Sequence, residues 1–352
     1  MKSTTTIGLD LAKEVFQIHG VDADQRVTIK RQLKRKDLLA FFAKLPPCLV
    51  GMEACGGAHY WAREIEKLGH KVKLMVPRYV KGYMKRGKND AADAEAICEA
   101  VTRRHVEAVA AKTVDQQCLL MLHKVRDSLV GDRTKTTNII RAHLSELGIV
   151  APKGREGFGR LLAMLRDETC ADIPPLARVA LMPEVGKLAS IETGIADIDG
   201  KLRCAHKKDA TSRRLEMIPG VGLMGATAFA GIADEVKAYK SARHYAASLG
   251  LTPRITGTGG DVTLGPISKQ GNGYLRRTLY LGAKARLGWA KRNPAKADPK
   301  LLRLLNEKEF NVAAIALANK MARTIWALIV RGGAYAANHR PAAFAASELA
   351  RQ

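Results

Sequence analysis

Between Thr4 and about His105 the chain alternates short β-rich runs with helical stretches, and from about Thr113 the β-rich runs stop. The runs TTTIGLD, EVFQIHGVD and RVTIKRQL are rich in β-branched and apolar residues and are separated by short polar turns. LLAFFAKL then follows a helical period, CLVGMEA is again strand-like, HYWAREIEKLG is helical and KVKLMVP is a further strand. Periods near 2 and near 3.6 cannot exchange without turning apolar side chains to water, so this order predicts a mixed α/β sheet followed by a mainly helical region. The fold class expected is α/β plus α.

That order resembles the ribonuclease H-like fold, in which Asp10 would lie on the central first strand and Glu53 at the end of the fourth. Two further acids, Asp90 and Asp93 in KNDAADAEAI, are three apart on a predicted helix and share a face. Carboxylates so arranged suit hard divalent cations such as Mg²⁺. Two cations held roughly 3.5–4 Å apart stabilise the attacking and leaving oxygens of a phosphodiester displacement. Any one of these acids alone reads equally well as a solvated charge or a helix cap.

The balance of charge points to the same chemistry. A formal +24 over 352 residues, with pI near 9.9, favours a polyanionic partner, because Lys and Arg release counterions condensed on a phosphate backbone. The basic residues recur in clusters, Lys34 to Lys36, Lys85 to Lys88, Arg213 with Arg214, Arg276 with Arg277 and Lys291 with Arg292. Aromatic residues are only 5%, which argues against a base-stacking sheet as the main mode of binding.

Beyond Thr113, QQCLLMLHKVRDSLVGDRTKTTNIIRAHLSELG and KLASIETGIADIDGKLRCAHKKD carry long helical patterns, separated by a Pro- and Gly-rich region that includes PKGREGFG and IPPLARV. An antiparallel helical hairpin or coiled-coil spacer is expected. Near Arg213 a third region begins, where MIPGVGLMGATAFAGI reads as a helix-hairpin-helix. Pro219 opens its turn, and Gly220 and Gly222 let backbone amides approach a phosphate. A polar Gly-rich loop, TPRITGTGGDVTLGPISKQGNGYLRR, precedes two long helices and an Ala-rich tail. The expected division is therefore 1–110, 111–212, 213–335 and a flexible tail over 336–352.

Six dispersed cysteines without a CxxC pair read as reduced thiols of a cytoplasmic protein. No hydrophobic signal region precedes the first strand, and NVAAIALANKMARTIWALIV, interrupted by Asn319, Lys320 and Arg323, reads as a packed helix, not a membrane span.

From IGLDLAK through GMEACGG, KNDAADA and IPGVG to ASLGLTPR and ISKQGNGYLRR, the chain resembles the DEDD-type insertion-sequence transposases, which include pilin-inversion and bridge-RNA-guided recombinases. The resemblance implies a ribonuclease H-like domain with Asp10, Glu53, Asp90 and Asp93 as its Mg²⁺-binding catalytic tetrad, a coiled-coil middle, and a last domain that supplies a nucleophilic hydroxyl. It further implies excision and integration of an element, with DNA ends and target as substrates and a structured guide RNA as partner. A homodimer or homotetramer is expected, since several strands are cut and exchanged together, in bacterial cytoplasm and at the nucleoid when DNA is bound. Where the family has a serine before a glycine, this loop reads ITGTGGDV, so Thr258 takes the position. Threonine can serve as a nucleophile, though its methyl group crowds in-line attack. Ser268 is the nearest downstream alternative and more naturally caps or orients the next helix. Arg254, Lys269, Arg276 and Arg277 are candidate phosphate contacts.

Three rivals remain. A junction-resolving nuclease would use the tetrad alone and leave no covalent protein–DNA species. An actin-like kinase would share IGLDLAK but needs a later adenosine motif and leaves the charge unexplained. A non-catalytic nucleic-acid-binding protein would keep the charge without needing the acids.

Overall fold

The computed structural model describes residues 3–83, 90–103, 106, 108–258 and 261–336. The chain divides by its contacts into two compact units, Met1–Gln117 with Ile232–His244, and Cys118–Gly231 with Tyr245–Gln352.

The first unit is built on a sheet of β1 (Thr6–Asp10), β2 (Val15–Val21), β3 (Val27–Lys34), β4 (Leu49–Glu53), β5 (Lys71–Met75) and β6 (Ala108–Val109), in the order β3-β2-β1-β4-β5-β6. β1, β2 and β3 form an antiparallel meander, β1, β4 and β5 run parallel, and the short β6 closes the edge antiparallel to β5. Helices α1 (Leu38–Phe42) and α2 (Ala58–Lys67) join the apolar side chains of one sheet face in a core that contains Ile7, Leu9, Phe16, Met52, Trp61 and Ile65. After α3 (Pro77–Val80), helix α4 (Asp90–Thr102) covers the other face.

What lets α4 lie so close is a pair of glycines. A Cβ at Gly8 would stand 2.5 Å from Cys98 N and 2.8 Å from Cys98 Cβ, and one at Gly51 2.8 Å from Val101 Cβ. Two parallel strands thus each present a bare backbone position to the helix.

The second unit is mainly helical. It includes most of α5 (Val114–Glu146), then α6 (Arg155–Arg166), α7 (Pro175–Lys208), α8 (Ala210–Glu216) and α9 (Leu223–Ala230). Arg126 on α5 pairs with Asp199 on α7, while Ile140 and Leu144 share a core with Leu181 and Val185, so the two long helices run antiparallel. On α7 the buried residues Leu181, Val185, Leu188, Ile191, Ile195, Ile198 and Leu202 recur every three or four positions, as a helix needs to bury one stripe.

The chain then crosses to the first unit for α10 (Ala233–Lys237). There Glu235 pairs with Lys112 Nζ at 3.2 Å, and Gln116 donates to Asp234 at 2.9 Å. It continues with α11 (Ala242–Ser248), the hairpin β7 (Pro253–Thr258) and β8 (Asp261–Ile267), then α12 (Gly273–Arg292), α13 (Pro299–Glu307) and α14 (Phe310–Arg331). α14 is the one described helix long and apolar enough to cross a membrane, yet its Ala314, Leu317, Met321, Ile325 and Ile329 are buried and it packs against α12.

Three local expectations change. The Pro- and Gly-rich separator contains α6, whose Leu161 and Leu165 bury against Ile140 and Leu144 of α5. Pro175 starts α7 instead of breaking it, because the first turn has no acceptor for an N–H and a proline there loses nothing. The Gly-rich loop is in fact a two-stranded ladder, with Ile255 opposite Leu264, Thr256 opposite Thr263 and Thr258 opposite Asp261. The β-branched residues Ile255, Thr256, Thr258, Val262 and Thr263 favour pairing over an open loop. The tail beyond residue 336 and the cluster from Lys85 to Lys88 lie outside the described residues.

Candidate functional site

Asp10 ends β1 and Glu53 ends β4, one step beyond the paired Leu9 and Met52 of these neighbouring parallel strands. Both acids are half-buried. Each follows its glycine by two residues, so the period of a strand puts Asp10 on the face of Gly8, and Glu53 on the face of Gly51, towards α4.

The direction of α4 then brings the other acids to the same end. Cys98 Sγ points to the carbonyl of Thr6, whereas Gly8 lies against both Cys98 and Ala94. Advancing two strand residues covers about 6.6 Å and four helix residues about 6 Å. One further step along β1 therefore reaches Asp10 on the strand and the Asp90–Asp93 turn on the helix. Positions 90, 93, 94, 97, 98 and 101 form the sheet-facing stripe of α4 by helical period. Asp93 is half-buried, and its Oδ1 is shielded from solvent with no hydrogen-bond partner among the described residues. The side chain of Asp90 lies outside the described residues.

Charge converges at this end of the sheet. The Cys55 thiol is pushed above its ordinary pKa by burial and by the carboxylates of Glu53 and Asp10. Among the described residues no three His, Cys, Asp or Glu side chains close around a single metal position. The donor set nevertheless fits a hard cation: the candidate ligating atoms are all carboxylate oxygens, and one of them, Asp93 Oδ1, is buried without a partner among the described residues.

The sequence analysis did not single out Cys55, Gly8 or Gly51. The signal for the glycines is present, since GLD and GME both place Gly two residues before the acid.

In the second unit, the hairpin that bears Thr258 stands on a pinned base. Ser268 N donates to Thr252 O at 2.9 Å and Lys269 N to Gly250 O at 3.3 Å. Gly250 and Gly271 both have left-handed backbones, at φ 69° and 71°, and a Cβ on Gly250 would stand 2.5 Å from Gln270 N. Thus the ASLG and KQGNG segments lock together below the strands. Thr258 ends β7 opposite Asp261; its side chain, and residues 259 and 260, lie outside the described residues.

Ser268 is not the cap of α12. That role belongs to Asn272, whose Oδ1 accepts from Tyr274 N at 3.0 Å and Leu275 N at 3.2 Å. Arg276 donates to Leu249 O at 3.0 Å and Gln270 O at 2.7 Å, and so holds the base together. Arg277 is ion-paired with Asp127 on α5. Arg254, exposed on β7, makes a long contact to Ser268 O at 3.4 Å, while Lys269 is exposed with a left-handed backbone at φ 54°. Gly220 is left-handed at φ 92°, and Gly222 is the N-cap of α9 without a side chain to cap it.

Below α12 lies a buried polar cluster that sequence reasoning missed. His123 Nδ1 lies 2.8 Å from Tyr274 Oη and its Nε2 3.0 Å from Thr227 Oγ1, joining α5, α12 and α9. Burial and the nearby Arg126 push His123 down to about 4, so its ring is neutral. A lone His on an otherwise mixed helix gives no warning of such partners.

Comparison with known proteins identifies the family. A family model described as Transposase, of the DEDD IS110 type, matches residues 7–149, and one described as Transposase IS116/IS110/IS902 family matches residues 212–298. A probable family 20 transposase of Pseudomonas aeruginosa is 43% identical over 94% of this chain and 98% of its own length. The transposase for insertion sequence element IS1328 of Yersinia enterocolitica is 39% identical, over 94% and 98%. That for IS1111A of Coxiella burnetii is 36% identical, over 95% and 92%. Identity at this level, carried from the acidic end of the first sheet to the last helices, means that the chain belongs to the IS110 family of transposases.

Proposed function

We propose that this protein is a DNA transposase that breaks and rejoins strands at the ends and target of an insertion sequence, with a divalent-cation site at Asp10, Glu53, Asp90 and Asp93 and a nucleophilic hydroxyl at Thr258. The observation that carries the reading is the convergence of Asp10, Glu53 and the first turn of α4, where the buried Oδ1 of Asp93 has no partner among the described residues. A buried acceptor left unpaired costs about 1–3 kcal/mol, so a site that retains one has a use for it. The antiparallel meander followed by parallel β4 and β5 supports a ribonuclease H-like fold for the first unit. The antiparallel α5 and α7 support a coiled-coil spacer, and α8, the Pro219–Gly222 turn and α9 support a helix-hairpin-helix that faces phosphate.

A bound Mg²⁺ supplies neutralising charge at the phosphodiester. The residues of the chain do the rest. Asp10 and Glu53 fix two carboxylates at the ends of rigid strands, and α4 brings the other pair to them. Arg254 and Lys269 offer cations beside the hairpin to orient the strand. The hydroxyl of Thr258 loses its proton and attacks phosphorus; its new O–P bond replaces the P–O bond that breaks, the released sugar oxygen takes up a proton to leave as a free strand-end hydroxyl, and the phosphodiester is retained for rejoining. A guide RNA and a dimeric or tetrameric assembly in the bacterial cytoplasm and nucleoid complete the proposal, supported by the +24 charge and by the number of strands to be exchanged.

The test separates cation site from hydroxyl. Asp10→Asn or Asp93→Asn should abolish strand exchange and leave DNA binding intact, as should chelation of wild-type protein. Thr258→Ala should bind DNA without joining it, and wild-type protein on a nicked trapping substrate should carry an adduct that mass spectrometry places on Thr258. Full recombination in excess chelator refutes the cation site. Cleavage without any adduct favours the nuclease reading over the transposase.

A further inference from the structure

We propose that a groove in the second unit, between the Pro219–Gly222 turn and α12, holds an unpaired nucleotide of a DNA strand, with Trp289 stacking on the base and Arg286 pairing with a phosphate. This rests on reading that turn as DNA-facing and adds to it the recognition of a base. The groove is open to solvent, has a volume of about 620 Å³ and is lined by the turn together with Gly282, Ala285, Arg286 and Trp289. That volume lies in the roughly 300–1,000 Å³ range of ligand sites.

Its parts suit a nucleotide. Of the three tryptophans, Trp61 and Trp326 are 5% and 7% exposed, whereas Trp289 is 44% exposed. α12 buries Leu275, Leu279, Ala283, Leu287 and Ala290 on one stripe, and Trp289 lies about 100° round the helix from its centre, outside the buried set. The floor is made by close approach: a Cβ on Gly282 would stand on the carbonyl oxygen of Gly220. By contrast, no heavy atom lies within 4 Å of the Cβ position at Gly222, which also lines the groove.

Charge selects the occupant. Arg286 lies in the groove, and Lys291 and Arg292 are exposed beyond Trp289 on the same helix. The acid on the rim, Glu216, is engaged with His206 Nε2 at 2.8 Å. An apolar peptide would leave this cationic surface uncompensated, whereas a phosphodiester neutralises it. A flat indole can accept a base only when that base has left its own stack, which points to unpaired DNA such as a strand exposed during cutting and exchange.

The experiment uses full-length protein and four probes: single-stranded oligo-dT of about 12 nucleotides, within common site sizes, the same backbone made abasic, a blunt duplex, and oligo-rU. With the other two tryptophans buried, acrylamide quenching reports mainly Trp289. Oligo-dT should quench emission and shield it from acrylamide. Trp289→Ala should bind oligo-dT about tenfold or more weakly, Trp289→Phe should recover most of that loss, and the abasic strand should bind both proteins equally. Arg286→Ala should weaken oligo-dT and abasic strand alike. Equal binding of oligo-dT by wild type and Trp289→Ala, an equal loss on the abasic strand, or quenching by oligo-rU alone would overturn the proposal. If duplex binding persists in those cases, the reading of the turn survives; if wild type binds no DNA, both fall.

Discussion

Gly8→Ala is the smallest change that separates the carboxylates of the strands from those of the helix. The new methyl carbon would stand 2.5 Å from Cys98 N and 2.8 Å from Cys98 Cβ, and closer still to the carbonyl oxygen of Ala94. Two of these three atoms are helix backbone, so no rotamer relieves the clash. Reaching ordinary contact at about 3.5 Å requires α4 to lift by roughly 1–1.5 Å. Overpacking of this kind costs about 1–3 kcal/mol, which exceeds the ~0.4–1 kcal/mol that Gly→Ala returns through the unfolded chain. A melting temperature lower by roughly 2–10 °C is expected for a unit of this size. Strand exchange should fall further, by about 10² for a displacement near 1 Å, because Asp93 moves with the helix while Asp10 stays on the strand. The assay pairs a thermal melt with recombination on a supercoiled donor, and with DNA binding, which should remain. Gly51→Ala is the graded control, since its nearest obstacle, Val101 Cβ at 2.8 Å, belongs to a side chain. Wild-type melting and recombination in Gly8→Ala would refute the placement of α4 against β1 and, with it, the joint site.

Three further outcomes are expected. Gly282→Ala puts a methyl group on the Gly220 carbonyl, 3.1 Å from its carbon; it should cost about 1–3 kcal/mol and weaken duplex binding more than it disturbs the first unit, and equal affinity in a gel-shift titration would contradict this. His123 is 2% exposed and held at about 4 against an ordinary 6.5. Its neutral ring stabilises the fold fully above pH 6.5 and loses that contribution, of the order of 3 kcal/mol, as pH falls through 4, so urea midpoints at pH 7.5 and 4.5 should differ less in His123→Phe than in wild type. DNA affinity should fall by about 10³–10⁵ between 50 and 200 mM salt if six to ten phosphates are engaged; a flat response in fluorescence anisotropy would assign the +24 charge to another purpose.

The order of strands and helices in the first unit, the break near residue 113 and the two long helices were legible because each buries one face, and burial imposes a period that local sequence carries. Asp10 and Glu53 could be placed at strand ends, and Asp90 with Asp93 on one helix, for the same reason. That the helix meets the strands at their acidic end was decided by packing across nearly 100 residues of chain. It depends on Gly8 and Gly51 offering no side chain to α4, a relation between segments that no local period encodes. The return of residues 232–244 to the first unit, secured by Lys112 with Glu235 and Gln116 with Asp234, was likewise invisible, since each residue alone reads as a solvated charge or amide. The same holds for Arg276 and Arg277. In the sequence they are free cations beside a loop; in the fold one closes on two carbonyls and the other on Asp127, because a guanidinium takes the acceptors that tertiary structure brings within reach.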